Sequence, residues 1–132
     1  MRRLAAITLL VPDTDEAIAW LRDALGFALL EDRPQGDKRW VVMAGDGGAR
    51  LIVAKAATDP QRARIGDAAG GRVGYFLETD DFARDHARMI AHGVRFLEPP
   101  RREPYGTVAV FCDPWGGKWD LLEPREGNEA EL

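Results

Sequence analysis

The same order of landmarks occurs twice in this chain, about 68 residues apart. Asp13 and Asp81 each stand before a helical pattern, Gly26 and Gly93 each follow one, and Gly47 and Gly116 each open a glycine pair. The three offsets are 68, 67 and 69 residues. So narrow a scatter across three kinds of landmark points to an internal repeat, and a repeat restricts the fold to architectures built from two copies of one unit. Each copy reads as strand, helix, three strands. Alone, such a unit leaves one face of a four-stranded sheet uncovered, so two copies, within a chain or between chains, are needed to bury one face under helices and to line a hollow with the other.

The pattern within each copy supports this reading. Residues 4–11 (LAAITLLV) are an apolar run suited to a buried strand, ended by Pro12. Asp13 with Glu16 forms an acidic capping pair, Ala17, Ile18, Leu21 and Leu25 recur at helical spacing, and Gly26 stops the helix. Residues 27–30 predict a short strand and 33–37 a turn. Residues 38–44 and 50–55 predict a hairpin across Gly45-Asp46-Gly47-Gly48. The first module therefore covers about 4–55. Residues 56–71 are small and polar and read as a linker, with a brief helix at Asp59-Pro60. The second module, about 72–124, has a strand at 72–78 and a helix from Asp80-Asp81 with Ala83, Ala87 and Ile90 as its apolar stripe. A strand at 94–97 and a final hairpin at 108–124 follow. In that hairpin Asp113-Pro114-Trp115-Gly116-Gly117 is the turn, with Pro114 setting φ early and the glycines closing it. Residues 125–132 read as a loose acidic tail. Together, residues 1–132 predict a single α+β domain.

Composition narrows the function. A net charge of -4, with acids and bases interspersed, disfavours a nucleic-acid surface. No run approaches the ~18 apolar residues of a membrane helix. One cysteine, Cys112, excludes an internal disulfide and fits a reducing cytoplasm. The glycine-rich turns precede no helix and lack the lysine and serine of a phosphate loop, so nucleotide binding is excluded, and no G-x-S-x-G elbow is present.

Residues 11–27 (VPDTDEAIAWLRDALGF), 79–94 (TDDFARDHARMIAHGV) and 105–124 (YGTVAVFCDPWGGKWDLLEP) resemble the vicinal oxygen chelate superfamily, the glyoxalase, bleomycin-resistance protein and extradiol dioxygenase group. The resemblance implies paired βαβββ modules forming a cupped mixed sheet with helices on its outer face, a ligand or metal site in the cup, and a homodimer. It also implies four metal-ligand positions, a His or Gln in the first strand of each module and a Glu in the last. Counted from the landmarks, these are occupied by Ala6, Leu51, Gly74 and Asp120. A divalent ion needs about three or four side-chain ligands. The resemblance therefore implies a small-molecule-binding protein without metal or other cofactor, with a metal-dependent lyase, isomerase or dioxygenase using Asp120 as the alternative; whether it is an enzyme stays open. A third reading is an interaction module whose cup is filled by its own Phe76, Leu51 and Leu122.

Strand alternation selects the cup-lining candidates. If Ala6 points in, so does Thr8; if Gly74 does, so do Phe76 and Glu78; if Asp120 does, so does Leu122. Trp40 in the central hairpin and Tyr105 near the cup mouth complete the ligand-binding candidates, although Tyr105 equally suits a turn anchor and Asp120 an ion pair. Trp115 suits a dimer contact. His86 and His92, six apart on the second helix, read as ordinary surface or helix-end residues outside the cup.

Overall fold

The computed structural model describes residues 1–125; most of the predicted tail lies outside the described residues. The chain divides into two compact units, Met1–Ile65 and a second beginning at Gly66. The boundary falls inside the predicted linker.

In the first unit β1 (Ala6–Val11) leads to α1 (Thr14–Leu25), and then come β2 (Ala28–Gln35), β3 (Lys38–Ala44), β4 (Arg50–Lys55) and a single helical turn, α2 (Asp59–Arg62). The sheet order is β1-β4-β3-β2, with β1 parallel to β4 and the other pairs antiparallel. The Asp13 carboxylate accepts from Glu16 N at 3.0 Å at the start of α1, and Gly26 closes it in the left-handed region at φ 73°, where a side chain would be strained. Ala17, Ile18, Leu21 and Ala24 of α1 are buried, as are Leu9, Val11, Val41, Met43, Leu51 and Val53 of the sheet. Arg39 shares their strand face and reaches α1, with its guanidinium 2.8 Å from Asp15 and doubly hydrogen-bonded to Asp32.

The second unit repeats the plan as β5 (Val73–Glu78), α3 (Phe82–Ala91), β6 (Arg95–Phe96), β7 (Arg101–Glu103), β8 (Gly106–Cys112) and β9 (Lys118–Pro124). Its sheet runs β5-β9-β8-β6, and β7 also pairs with β8. The two units are thus βαβββ modules of an α+β fold. The second differs in one respect. Where β2 is a continuous eight-residue edge strand, its counterpart is broken into β6 and β7, because Pro99-Pro100 interrupts the ladder.

Three local expectations need correction. β2 continues through Arg33 and Pro34 to Gln35, so the turn is narrower than 33–37; an edge strand tolerates a proline whose missing N–H faces away from its partner. The stripe Ala83, Ala87 and Ile90 is exposed, Ile90 by 51%. The inner face of α3 is Phe82, Asp85, His86 and Met89. Phe82 and Met89 bring more apolar area than the alanines, while Asp85 is satisfied by hydrogen bonds from Thr79 and Arg84. His86 is accordingly not a surface residue: half-buried, its ring lies 5.4 Å from Phe82 and 4.3 Å from Phe96. His92 does cap the helix, its Nδ1 2.9 Å from Arg88 O.

The β8–β9 turn is held by Asp113, which is 5% exposed. Its Oδ1 accepts from Trp115 N at 2.9 Å and Gly117 N at 2.8 Å, and its Oδ2 from Trp119 Nε1 at 3.0 Å. A Cβ on Gly117 would stand 2.4 Å from Asp113 Oδ2, so only glycine admits this approach. Trp119 in turn stacks on Tyr75 at 4.5 Å and Phe111 at 5.7 Å, tying the bracket to the aromatic core. Hydrogen bonds to a charged acceptor contribute about 1.5–3 kcal/mol each but are not additive, so Asp113→Ala is expected to lower unfolding stability by about 3 kcal/mol. Urea denaturation checks this; a loss below about 1 kcal/mol would mean that the bracket is dispensable.

Candidate functional site

Register decides which side chains share a face. In the first unit Ala6, Thr8 and Leu10 pair with Arg50, Ile52 and Ala54, and Ile52 pairs with Val42. In the second, Phe76 pairs with Asp120, Glu78 with Leu122, and Asp120 with Val110. Both sets lie on the face opposite the helix-covered core.

The register corrects one assignment. Leu51 is 5% exposed, pairs with Ile7 and belongs to the core under α1. It cannot share a face with Ala6. β3 and β8 are offset by 68 residues at both ends, and β4 and β9 by 68 at their starts, which makes Ile52 the counterpart of Asp120. The glycine pairs mislead because they sit one residue out of step: Gly48 at φ 76° matches Gly116 at φ 96°, whereas Gly117 has no positive φ. A slip of one residue exchanges the two faces of a strand. For the same reason Leu51 cannot fill a ligand hollow.

On the first face a cavity of about 520 Å³ is lined by Arg3, Ala6, Glu31, Trp40, Val42, Arg50 and Ile52, among others. Trp40 is half-buried, and its indole N–H donates to Glu31 Oε2 at 3.3 Å, which sets the ring's orientation. Thr8 is exposed on the same strand face but does not line this cavity.

On the second face Asp120 is half-buried, with Oδ1 shut off from solvent and without a hydrogen-bond partner. It is the one buried side-chain nitrogen or oxygen in that condition among the described residues. Loss of hydration pushes its carboxyl above the ordinary aspartate value; Arg101 pulls it down and Glu98 pushes it up. Arg101 is itself held by Glu98 at 2.6 Å and Glu103 at 2.7 Å, so its charge is largely spoken for. Phe76, 58% exposed, stands beside Asp120, and Glu78 is exposed at the end of β5. Tyr105 lies in the two-residue turn between β7 and β8; its carbonyl accepts from Arg125 N at 2.8 Å and its side chain interacts with Arg101.

Such a face can offer apolar contact plus one carboxyl that accepts from a ligand N–H or O–H, or donates when protonated. It does not suit a divalent ion. The four positions are Ala6, Ile52, Gly74 and Asp120, three of them without a donor atom, and no group of three or more His, Cys, Asp or Glu that could hold a metal occurs among the described residues. Sequence reasoning missed Arg3, Arg50, Glu98 and Arg101. Arg50 was within reach of strand alternation once Ile52 replaced Leu51, and Glu98 and Arg101 flank the diproline at i, i+3.

The fold and these faces define a two-module member of a widespread ligand-binding and metalloenzyme architecture. Residues 3–121 match the Glyoxalase/Bleomycin resistance protein/Dioxygenase superfamily, and the chain belongs to that family. It is 50% identical over 121 residues to an uncharacterized protein of Shewanella frigidimarina (strain NCIMB 400), covering 89% of this chain and 90% of that one. Among solved structures it is similar to TnmS3, an antibiotic binding protein from Streptomyces sp. CB03234, with TM-score 0.79, 28% identity and coverage of 95% and 98% of the two chains. A glyoxalase/bleomycin resistance protein from the same organism matches with TM-score 0.71 and 29% identity over 91% and 99%. No helix among the described residues is long and apolar enough to cross a membrane.

The electrostatics of Asp120 set a pH dependence. A carboxyl whose folded-state pKa is raised holds its proton more tightly when folded, so its favourable contribution is complete below the unfolded value and is lost as pH rises through the folded one. Asp120→Asn is therefore expected to gain stability relative to wild type on going from about pH 3 to about pH 7, by urea denaturation at both. A stability difference independent of pH would contradict the assignment.

Proposed function

We propose that this protein binds small organic molecules on the sheet face opposite the helix in each module, without a metal ion. The carrying observation is Asp120 Oδ1. A buried acceptor left unpaired is unfavourable by about 1–3 kcal/mol, and its place among Phe76, Val110 and Leu122 suits a ligand that brings the missing donor. Support comes from the replacement of three family ligand positions by Ala6, Ile52 and Gly74, and from the likeness to an antibiotic-binding protein at 28% identity. Because one fold hosts many chemistries, the site residues carry the reading.

In this reading Asp120 and Phe76 contact a ligand on the second module's face, bordered by Glu78 and Tyr105, Trp40 and Thr8 do so on the first module's face, and residues 1–132 work as one domain. The protein acts as a homodimer in the cytoplasm, without nucleic-acid partners. The dimer follows from family likeness and from the partly exposed Trp115. The compartment follows from the single free thiol.

The test is a thermal-shift screen against small organic compounds with and without EDTA, alongside metal analysis of protein purified without chelator. A stabilising compound is expected whose effect EDTA leaves intact and which Asp120→Ala weakens about tenfold. About one bound divalent ion per chain, lost in Asp120→Ala, would contradict the proposal.

A further inference from the structure

We infer that the cavity of the first unit is a subsite for a planar aromatic carboxylate, stacked on Trp40 and ion-paired through Arg50 and Arg3. This inference rests on the small-molecule reading above and specifies the ligand's chemistry at that site. Three observations carry it. The first is shape: about 520 Å³ lies in the range of small-molecule pockets, and Ala6, Val42 and Ile52 give it apolar walls. The second is Trp40, whose half-buried ring is oriented by its hydrogen bond to Glu31 and offers a large flat surface for stacking.

The third is charge. The lining residues include two arginines, Arg3 and Arg50, and one acidic residue, Glu31. Glu31 is already engaged by Trp40 Nε1 at 3.3 Å and by Arg33 Nε at 3.7 Å. Arg3 and Arg50 form no ion pair with a carboxylate among the described residues, whereas Arg39 and Arg101 each bind two. A local excess of positive charge thus stands at an apolar, aromatic cavity in a chain whose net charge is -4. Arg50 is well anchored for this: its backbone N–H donates to Ala5 O at 3.0 Å, fixing the first residue of β4 beside Ala6. A planar guanidinium matches a carboxylate in two parallel hydrogen bonds, which selects a carboxylate over a neutral group of the same shape.

The test uses three probes of one shape, 2-naphthoate, 2-naphthamide and 2-naphthylmethylammonium, titrated calorimetrically into the full chain at low salt. Naphthoate is expected to bind about tenfold tighter than the amide and to lose that advantage as salt rises toward about 1 M. Arg50→Gln is expected to narrow the naphthoate-to-amide ratio several-fold, and Arg50→Lys to retain part of it. Arg64→Gln, an exposed arginine outside the cavity lining, is expected to keep the ratio. Trp40→Ala is expected to weaken naphthoate and naphthamide alike. Both variants at position 50 lie at an exposed strand start, so folding is not at stake. Equal or tighter binding of the amide or the ammonium overturns the carboxylate assignment and leaves ligand binding standing; binding of none of the three overturns both at this cavity.

Discussion

The carboxylate of Asp113 is the constraint on which the second module's site depends. Its two oxygens take donors from the turn and from the returning strand at once, so the β8–β9 hairpin closes in a single register. That register places Trp119 and Leu121 in the core and Asp120 on the opposite face, because successive side chains of a strand alternate. A slip of one residue would bury Asp120 among Tyr75, Phe111 and the inner face of α3, and would expose the tryptophan. The aromatic chain from Tyr75 through Trp119, Phe111 and Phe96 to His86 and Phe82 resists that slip with contacts worth about 0.5–1.5 kcal/mol each beyond their burial.

At their offset of 68 residues the two modules carry different side chains at corresponding places. Ala6 answers to Gly74, Thr8 to Phe76, Ile52 to Asp120, and Trp40 to Val108. The aromatic ring therefore lies on β3 in one unit and on β5 in the other, and the sign of the charge reverses: uncompensated arginines on the first face, an unpaired carboxyl on the second. Here the matching places carry unlike groups, and Ala6, Ile52 and Gly74 among them have no donor atom.

Much of this was legible in the sequence because it rests on local signals. Asp13 before Glu16 gives α1 its start and Gly26 its stop; the turn at 113–117 has its proline and glycines in place; alternation separates Thr8, Phe76 and Asp120 from the core. What escaped has physical reasons. Glycine pairs used as register marks put Leu51 on the ligand face, yet a turn can accommodate its glycines one residue out of step without changing the strands it joins. The inner face of α3 was missed because Asp85 and His86 are polar by type, and only their tertiary partners, Thr79, Arg84, Phe82 and Phe96, show that they belong inside. Arg101 was invisible as part of the second face because its partners Glu98 and Glu103 straddle a strand break made by the diproline.

The second face offers apolar surface and one carboxyl with an unpaired oxygen, but too few donors for an ion. A crystal structure of protein purified without chelator and soaked with its tightest-binding organic compound shows which of the two, molecule or ion, this face holds. The expected result is an organic molecule on the second face with an N–H or O–H within about 3 Å of Asp120 Oδ1. A metal ion coordinated by Asp120 at about 2 Å would rule out metal-free ligand binding there.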